Sequence, residues 1–147
     1  IDIFNRNWSY ETVFRYLKTG LINIPKEDID ILENYVMAYG IRGKNKWSSM
    51  WKYGNEENLE KINDVSLKVV IPLINFYSNL KGKKSAEEIC TALYNFLCSI
   101  GANETVESWV NRFKEEGNQD LAREYSQIWN MVIELLDQVV KYLGERR

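Results

Sequence analysis

Apolar residues recur every three or four positions through most of the chain. Nowhere do they keep up the alternation, bounded by hairpin turns, that a half-buried strand requires. The pattern predicts an all-α fold, an irregular helical bundle of about six helices. The first runs from Tyr10 to Lys18, with Ser9 as its N-cap and Val13, Tyr16 and Leu17 facing inward. The second begins at Pro25, a residue suited to a first helical position, and ends near Tyr39 before Gly40. Its buried stripe is Ile29, Leu32, Tyr35, Val36 and Tyr39. From Glu56 to Leu80 a long helix buries Leu59, Ile62, Val65, Val69, Leu73, Phe76 and Leu80. Pro72 interrupts it at a cost of ~3 kcal/mol, which predicts a kink more than a break.

After the basic turn Lys81-Gly82-Lys83-Lys84, the run Ser85-Ala-Glu-Glu88 fits a capping box and opens a helix to Ser99. That helix is expected to bury Ile89, Leu93, Phe96 and Leu97. A shorter one, Glu104 to Glu116, presents Val106, Trp109, Val110 and Phe113. The last, Gln119 to Leu143, carries Leu121, Tyr125, Ile128, Val132, Leu135, Val139 and Tyr142. No repeat or low-complexity linker divides the chain, so residues 1–147 are expected to form a single helical domain. A sequence that starts on Ile1 and ends on Glu145-Arg146-Arg147 is expected to be a piece excised from a longer polypeptide.

Composition narrows the function more than it names it. With 45% hydrophobic and 13% aromatic residues in 147, there is material for a real core. The formal charge of -2 argues against a protein devoted to coating nucleic acid or anionic membrane, although a local basic patch can hide in a balanced total. No run approaches the roughly 18 apolar residues of a membrane span, and Ile1-Asp2-Ile3-Phe4 shows neither the basic start nor the apolar stretch expected of a signal peptide. Cys90 and Cys98 stand eight residues apart on one helix, about 12 Å along its axis, which is too far for a disulfide or a shared metal. They are expected to be buried reduced thiols, consistent with a cytoplasmic protein.

Candidate chemistry mostly falls away on inspection. Lys18-Thr19-Gly20, with Ser49-Met-Trp-Lys52 and Ser78-Asn-Leu-Lys81, matches fragments of the signature set of serine acyl-enzymes. The elements come in the wrong order, Ser-Asp-Asn is missing, and Lys-Thr-Gly lies where a helix ends: Gly20 suits the left-handed cap and Arg15 and Lys18 complement the dipole. The chain contains no histidine, which excludes Ser-His-Asp and Cys-His catalysis and the commonest zinc sites. Glu56-Glu57, Glu87-Glu88 and Glu115-Glu116 read as solvent-facing pairs, the first two favoured at helix N-termini. Gly40-Ile-Arg-Gly43-Lys44 has the wrong spacing for a phosphate loop. No catalytic, cofactor-binding or metal-binding residue is expected.

One stretch stands out. "GIRGKNKWSSMWKYG", Gly40 to Gly54, sets Arg42, Lys44, Lys46 and Lys52 beside Trp47, Trp51 and Tyr53 without an acidic residue. Cations that follow a phosphate backbone, next to rings that stack on bases, are what a single-strand contact needs. Arg42, Lys44, Lys46, Trp47, Trp51 and Lys52 are therefore the candidate nucleic-acid-binding residues. The competing reading is a connecting loop whose tryptophans bury and whose lysines are merely solvated.

Two stretches together, "VFRYLKTGL" (Val13 to Leu21) and "DIDILENYVMAYGIRGKNKW" (Asp28 to Trp47), resemble the middle region of the B subunit of the AddAB (RexAB) ATP-dependent helicase/nuclease of Gram-positive bacteria. The motifs cover about the first third of the chain; the rest shows a compatible helical pattern. The resemblance implies the helical insertion known as domain 2B in UvrD/PcrA-type helicases. It also implies a parent enzyme that resects double-strand breaks for recombinational repair, responds to a recombination hotspot and works with an A subunit. ATP, Mg and an iron-sulfur cluster would be bound elsewhere in that parent, since its phosphate loop, nuclease carboxylates and cluster cysteines have no counterparts here. The expected function is that of a noncatalytic helical domain of a helicase/exonuclease subunit, a scaffold contacting DNA or the A subunit. The alternative is a self-contained protein-interaction module in which Trp47, Trp51 and Trp109 are core or interface anchors.

Overall fold

A computed structural model describes residues 2–54, 57–82 and 85–145. Among these residues there are eight helices and no strand: α1 (Asp2–Asn5), α2 (Tyr10–Leu17), α3 (Lys26–Tyr39), α4 (Lys44–Trp47), α5 (Leu59–Leu80), α6 (Ala86–Ser99), α7 (Ala102–Glu115) and α8 (Gln119–Glu145). The all-α expectation holds. The excess over six comes from α1 and α4, single turns too short to display a period. No helix among the described residues is long and apolar enough to cross a membrane. The chain divides into two compact units, Ile1–Leu73 and Ile74–Arg147, with the border falling inside α5.

In the first unit, Ser9 caps α2 by accepting from the Thr12 N–H at 3.4 Å, and the helix buries Val13, Phe14 and Leu17. Lys-Thr-Gly does end this helix. The Lys18 N–H closes on the Phe14 carbonyl, the Thr19 hydroxyl donates to the Tyr16 carbonyl at 2.7 Å, and Gly20 takes the left-handed turn. Pro25 stands one position before α3 rather than inside it, its φ of -56° already suited to the helix it starts. Ile29, Leu32, Tyr35 and Val36 are buried as the periodicity required, and Tyr39 is half-buried. α5 runs unbroken through Pro72 and gives Ile62, Val65, Val69 and Leu73 to the core.

The second unit is built from α6, α7 and α8 with the end of α5. Ser85 caps α6 by accepting from the Glu88 N–H at 3.1 Å. Phe76 meets Phe96, Phe113 stacks on Tyr125 with centroids 5.1 Å apart, and the Trp129 indole N–H donates to Asn103 Oδ1 at 2.7 Å. Fully buried positions here are often small: Ala92 on α6, Ala102 on α7 and Ala122 on α8. Alanines let helix axes approach closely, and that rotates the helices away from the faces their large residues suggest. Ile89 is consequently exposed, and α8 turns Ala122, Trp129 and Leu136 toward its neighbours while Ile128, Val132 and Leu135 stay outside. The thiols correct the expectation in the same sense, with Cys90 half-buried and Cys98 exposed. Glu87 and Glu88 are half-buried rather than solvent-facing. Glu56, Lys83, Lys84 and the Tyr142 side chain lie outside the described residues.

An ionic triad ties α2 to α3. Glu33 accepts from the Lys18 ammonium at 2.9 Å and from the Tyr10 hydroxyl at 2.9 Å. The bond from Lys18 holds the Glu33 carboxyl below its ordinary value, and the same bond raises Lys18. The Glu33 contribution is therefore fully present above the ordinary carboxylate value and lost as pH falls through the depressed one. The Lys18 contribution is present below the ordinary lysine value and lost only as pH rises through the raised one, so the pair is intact at neutrality. Thermal melts across pH should show Glu33→Gln less stable than wild type near pH 7, with the gap closing as pH drops below 4.5. A gap independent of pH would contradict the assignment.

Candidate nucleic-acid interface

The basic stretch Gly40 to Gly54 is a connection between α3 and α5 that contains only the single turn of α4. Such a segment has few backbone partners of its own, and its buried N–H and C=O groups must be satisfied by side chains. Three side chains do so. Asn63, on the first turns of α5, accepts from the Trp51 N–H at 2.9 Å and donates to the Trp51 carbonyl at 3.0 Å. The Tyr35 hydroxyl, on α3, accepts from the Tyr53 N–H and donates to the Tyr53 carbonyl, both at 3.1 Å. Asn7 Oδ1 accepts from the Lys44 N–H at 3.3 Å at the start of α4.

Asn7 is set in place by an unusual corner. It and Trp8 both have positive φ, 50° and 57°, a conformation a bulky non-glycine residue rarely adopts. The corner is held by the Trp8 N–H bonding the Ile3 carbonyl at 2.7 Å, and the Trp8 carbonyl accepts from the Gly43 N–H at 3.3 Å. Gly43 itself sits at φ 88°, and Gly54 at φ 72°, where an added Cβ would run into the Tyr39 ring. Backbone strain of this kind persists only where surrounding structure over-determines it.

Under the loop lies a continuous aromatic cluster. Trp51 stacks on Tyr35 with centroids 5.4 Å apart at 16°, and meets Trp47 edge-on at 5.3 Å. Trp47 continues to Phe14 at 6.2 Å, and Tyr39 stacks on Tyr53 at 6.0 Å. The Trp51 indole N–H donates to the Lys46 carbonyl at 2.8 Å, whereas the buried Trp47 Nε1–H meets no acceptor among the described residues. Both tryptophans are 1% exposed. This corrects the role expected of them: with their ring faces inside the core, neither Trp47 nor Trp51 can stack on a base. Both instead form the foundation of the loop.

Arg42, Lys44, Lys46 and Lys52 are exposed above that foundation. Among the described residues no ion pair engages Arg42, Lys46 or Lys52. Lys44 and Lys46 are two positions apart on α4 and so leave it on different sides, which makes a belt of charge and not a fork. Tyr53 is exposed but stacked on Tyr39. Sequence reasoning missed Asn63, Asn7 and Tyr35 as clamps, because each acts on a partner far along the chain. The spacing of Trp47 and Trp51, four apart like two residues on one helix face, was the available sign that they bury together. Ser49, in the chance Ser-x-x-Lys match, donates its hydroxyl to the Asn45 carbonyl at 2.6 Å.

No family model matches the chain. Curated relatives do. The B subunit of an ATP-dependent helicase/deoxyribonuclease from Clostridium novyi is 70% identical over 99% of this chain. Proteins of the same name from Clostridium acetobutylicum and Acetivibrio thermocellus are 47% and 46% identical over 100% and 99% of it. The chain belongs to this B-subunit family. It spans 13% of the length of the Clostridium novyi protein and 14% of the other two, so it corresponds to one segment of such a protein. Cys90 is half-buried and Cys98 exposed on α6, and no group of three or more His, Cys, Asp or Glu side chains that could hold a metal ion assembles among the described residues.

The two indoles should respond differently to loss of the indole N–H. Trp51→Phe forfeits a hydrogen bond worth about 0.5–1.5 kcal/mol beyond the lost volume, whereas Trp47→Phe removes a donor that has no acceptor. Denaturant unfolding of the chain is expected to rank Trp51→Phe as the more destabilised, and the reverse order would contradict the bond from the Trp51 indole to the Lys46 carbonyl.

Proposed function

We propose that this segment is a noncatalytic helical part of a helicase/exonuclease subunit that processes DNA double-strand breaks for recombinational repair. Its own task is to present the cations of residues 42–52 to the DNA backbone from a rigid support. The reading includes the 2B-like placement in the helicase half of the parent protein, an A subunit as partner, and ATP, Mg and an iron-sulfur cluster held by other parts of the polypeptide. The observation that carries it is the pairing of four exposed cations, with no acidic residue between Gly40 and Gly54, and a locked aromatic foundation beneath them. With the tryptophans buried, the contact is one of charge with phosphate. It is salt-dependent and indifferent to base sequence. Recognition of the hotspot sequence is therefore not assigned to this loop.

A self-contained interaction module is expected to anchor through Trp47, Trp51 and Trp109; burial of Trp47 and Trp51 leaves, of those three, the half-buried Trp109. The test uses the full-length protein with its A partner and a duplex with a single-stranded end. Each of Arg42→Ala, Lys44→Ala, Lys46→Ala and Lys52→Ala is expected to weaken binding and to reduce the steepness of log K against log salt by up to about 0.9. An unchanged slope and affinity in the quadruple variant would exclude DNA contact by this loop.

A further inference from the structure

α8 is more apolar than its packing explains. At about 100° per residue, Ala122, Trp129, Ile133 and Leu136 lie on one side of its wheel, the side turned toward α6 and α7. Tyr125, Ile128, Met131, Val132 and Leu135 continue the apolar arc on the adjoining side, at the spacings of three and four that make one helical ridge. These are not buried: Ile128 is 57% exposed, Met131 65% and Leu135 59%. No charged residue interrupts the ridge. Two charged residues stand within one turn of it on its own rows, Glu124 before Ile128 and Glu134 after Met131, and both are acidic.

We propose that this ridge is the seat of another helix of the same polypeptide, one outside these 147 residues, with an apolar ridge of its own flanked by lysine or arginine. Three observations select that occupant. The curated relatives are several times longer than this chain, which covers 13–14% of them, so most of such a protein lies elsewhere. A ridge of Ile, Met, Val and Leu without charge has the composition of a permanently covered interface, not of a surface that visits water. A second copy of α8 would set Glu124 and Glu134 against a ridge whose own three- and four-residue rows carry only those same carboxylates. The proposal is independent of the DNA-contact reading.

The test is made in the full-length protein bound to its A partner. A photoreactive benzophenone side chain is placed at Ile128 or Met131, and at Asn130 on the polar side as control. Irradiation is expected to join Ile128 and Met131 to one helical segment of the same chain, with a yield about tenfold above Asn130. Cross-links to a second copy of the same protein, cross-links to the A partner, or a yield no higher than the control would overturn the proposal. Oxidation of Met131 by dilute peroxide in the unaltered complex reads the same burial without substitution. It should be about tenfold slower in the native complex than after unfolding, and equal rates would contradict coverage.

Discussion

The stack of Trp51 between Tyr35 and Trp47 is the contact on which the first unit's basic surface depends. A fifteen-residue stretch with one helical turn, Gly40 to Gly54, cannot hold its own shape, since its backbone makes few bonds within itself. The stack fixes where the loop lies, and Asn63 and Tyr35 then bind both backbone groups of Trp51 and Tyr53. The Asn7–Trp8 corner locks the other end at Gly43 and Lys44. Each clamp comes from a different helix or corner, so the loop is referenced to α3, α5 and the N-terminal turn at once.

A rigid mount matters for a charged surface. Ordering a flexible loop on binding costs free energy, and a loop already fixed avoids that cost. The same burial that makes the mount rigid takes the indoles out of reach of a ligand, so rigidity is gained where base stacking is lost. The second unit offers a different kind of surface. On α8, alanine-mediated close packing turns one side inward and leaves a ridge of large apolar residues outside.

The helices were legible because their signals are local. Ser9 and Ser85 announce N-caps within three residues of the groups they bind, and Gly20 and Gly40 mark ends by the conformations they alone take easily. The exposed cations of the loop were equally plain, because charge without acidic neighbours is visible in sequence. The fate of Trp47 and Trp51 was not, since a ring that stacks on a base and one that stacks on Tyr35 have the same letters around them. The inward face of α8 is equally hidden: an apolar arc wide enough for two neighbours gives no clue to which half each will take, and Ala122 weighs little in a pattern of large residues. Asn63 and Asn7 could be found only in three dimensions, their partners lying 12 and 37 positions away.

The central claim is that the loop meets DNA through its cations alone, from a foundation that stays closed. Covalent footprinting of the full-length complex, with and without DNA, tests both halves together by acylating lysines and oxidising tryptophans. The account predicts that DNA protects Lys44, Lys46 and Lys52 while Trp47 and Trp51 resist oxidation in either state. Lysines modified equally with and without DNA, or tryptophans that oxidise readily until DNA covers them, would contradict it.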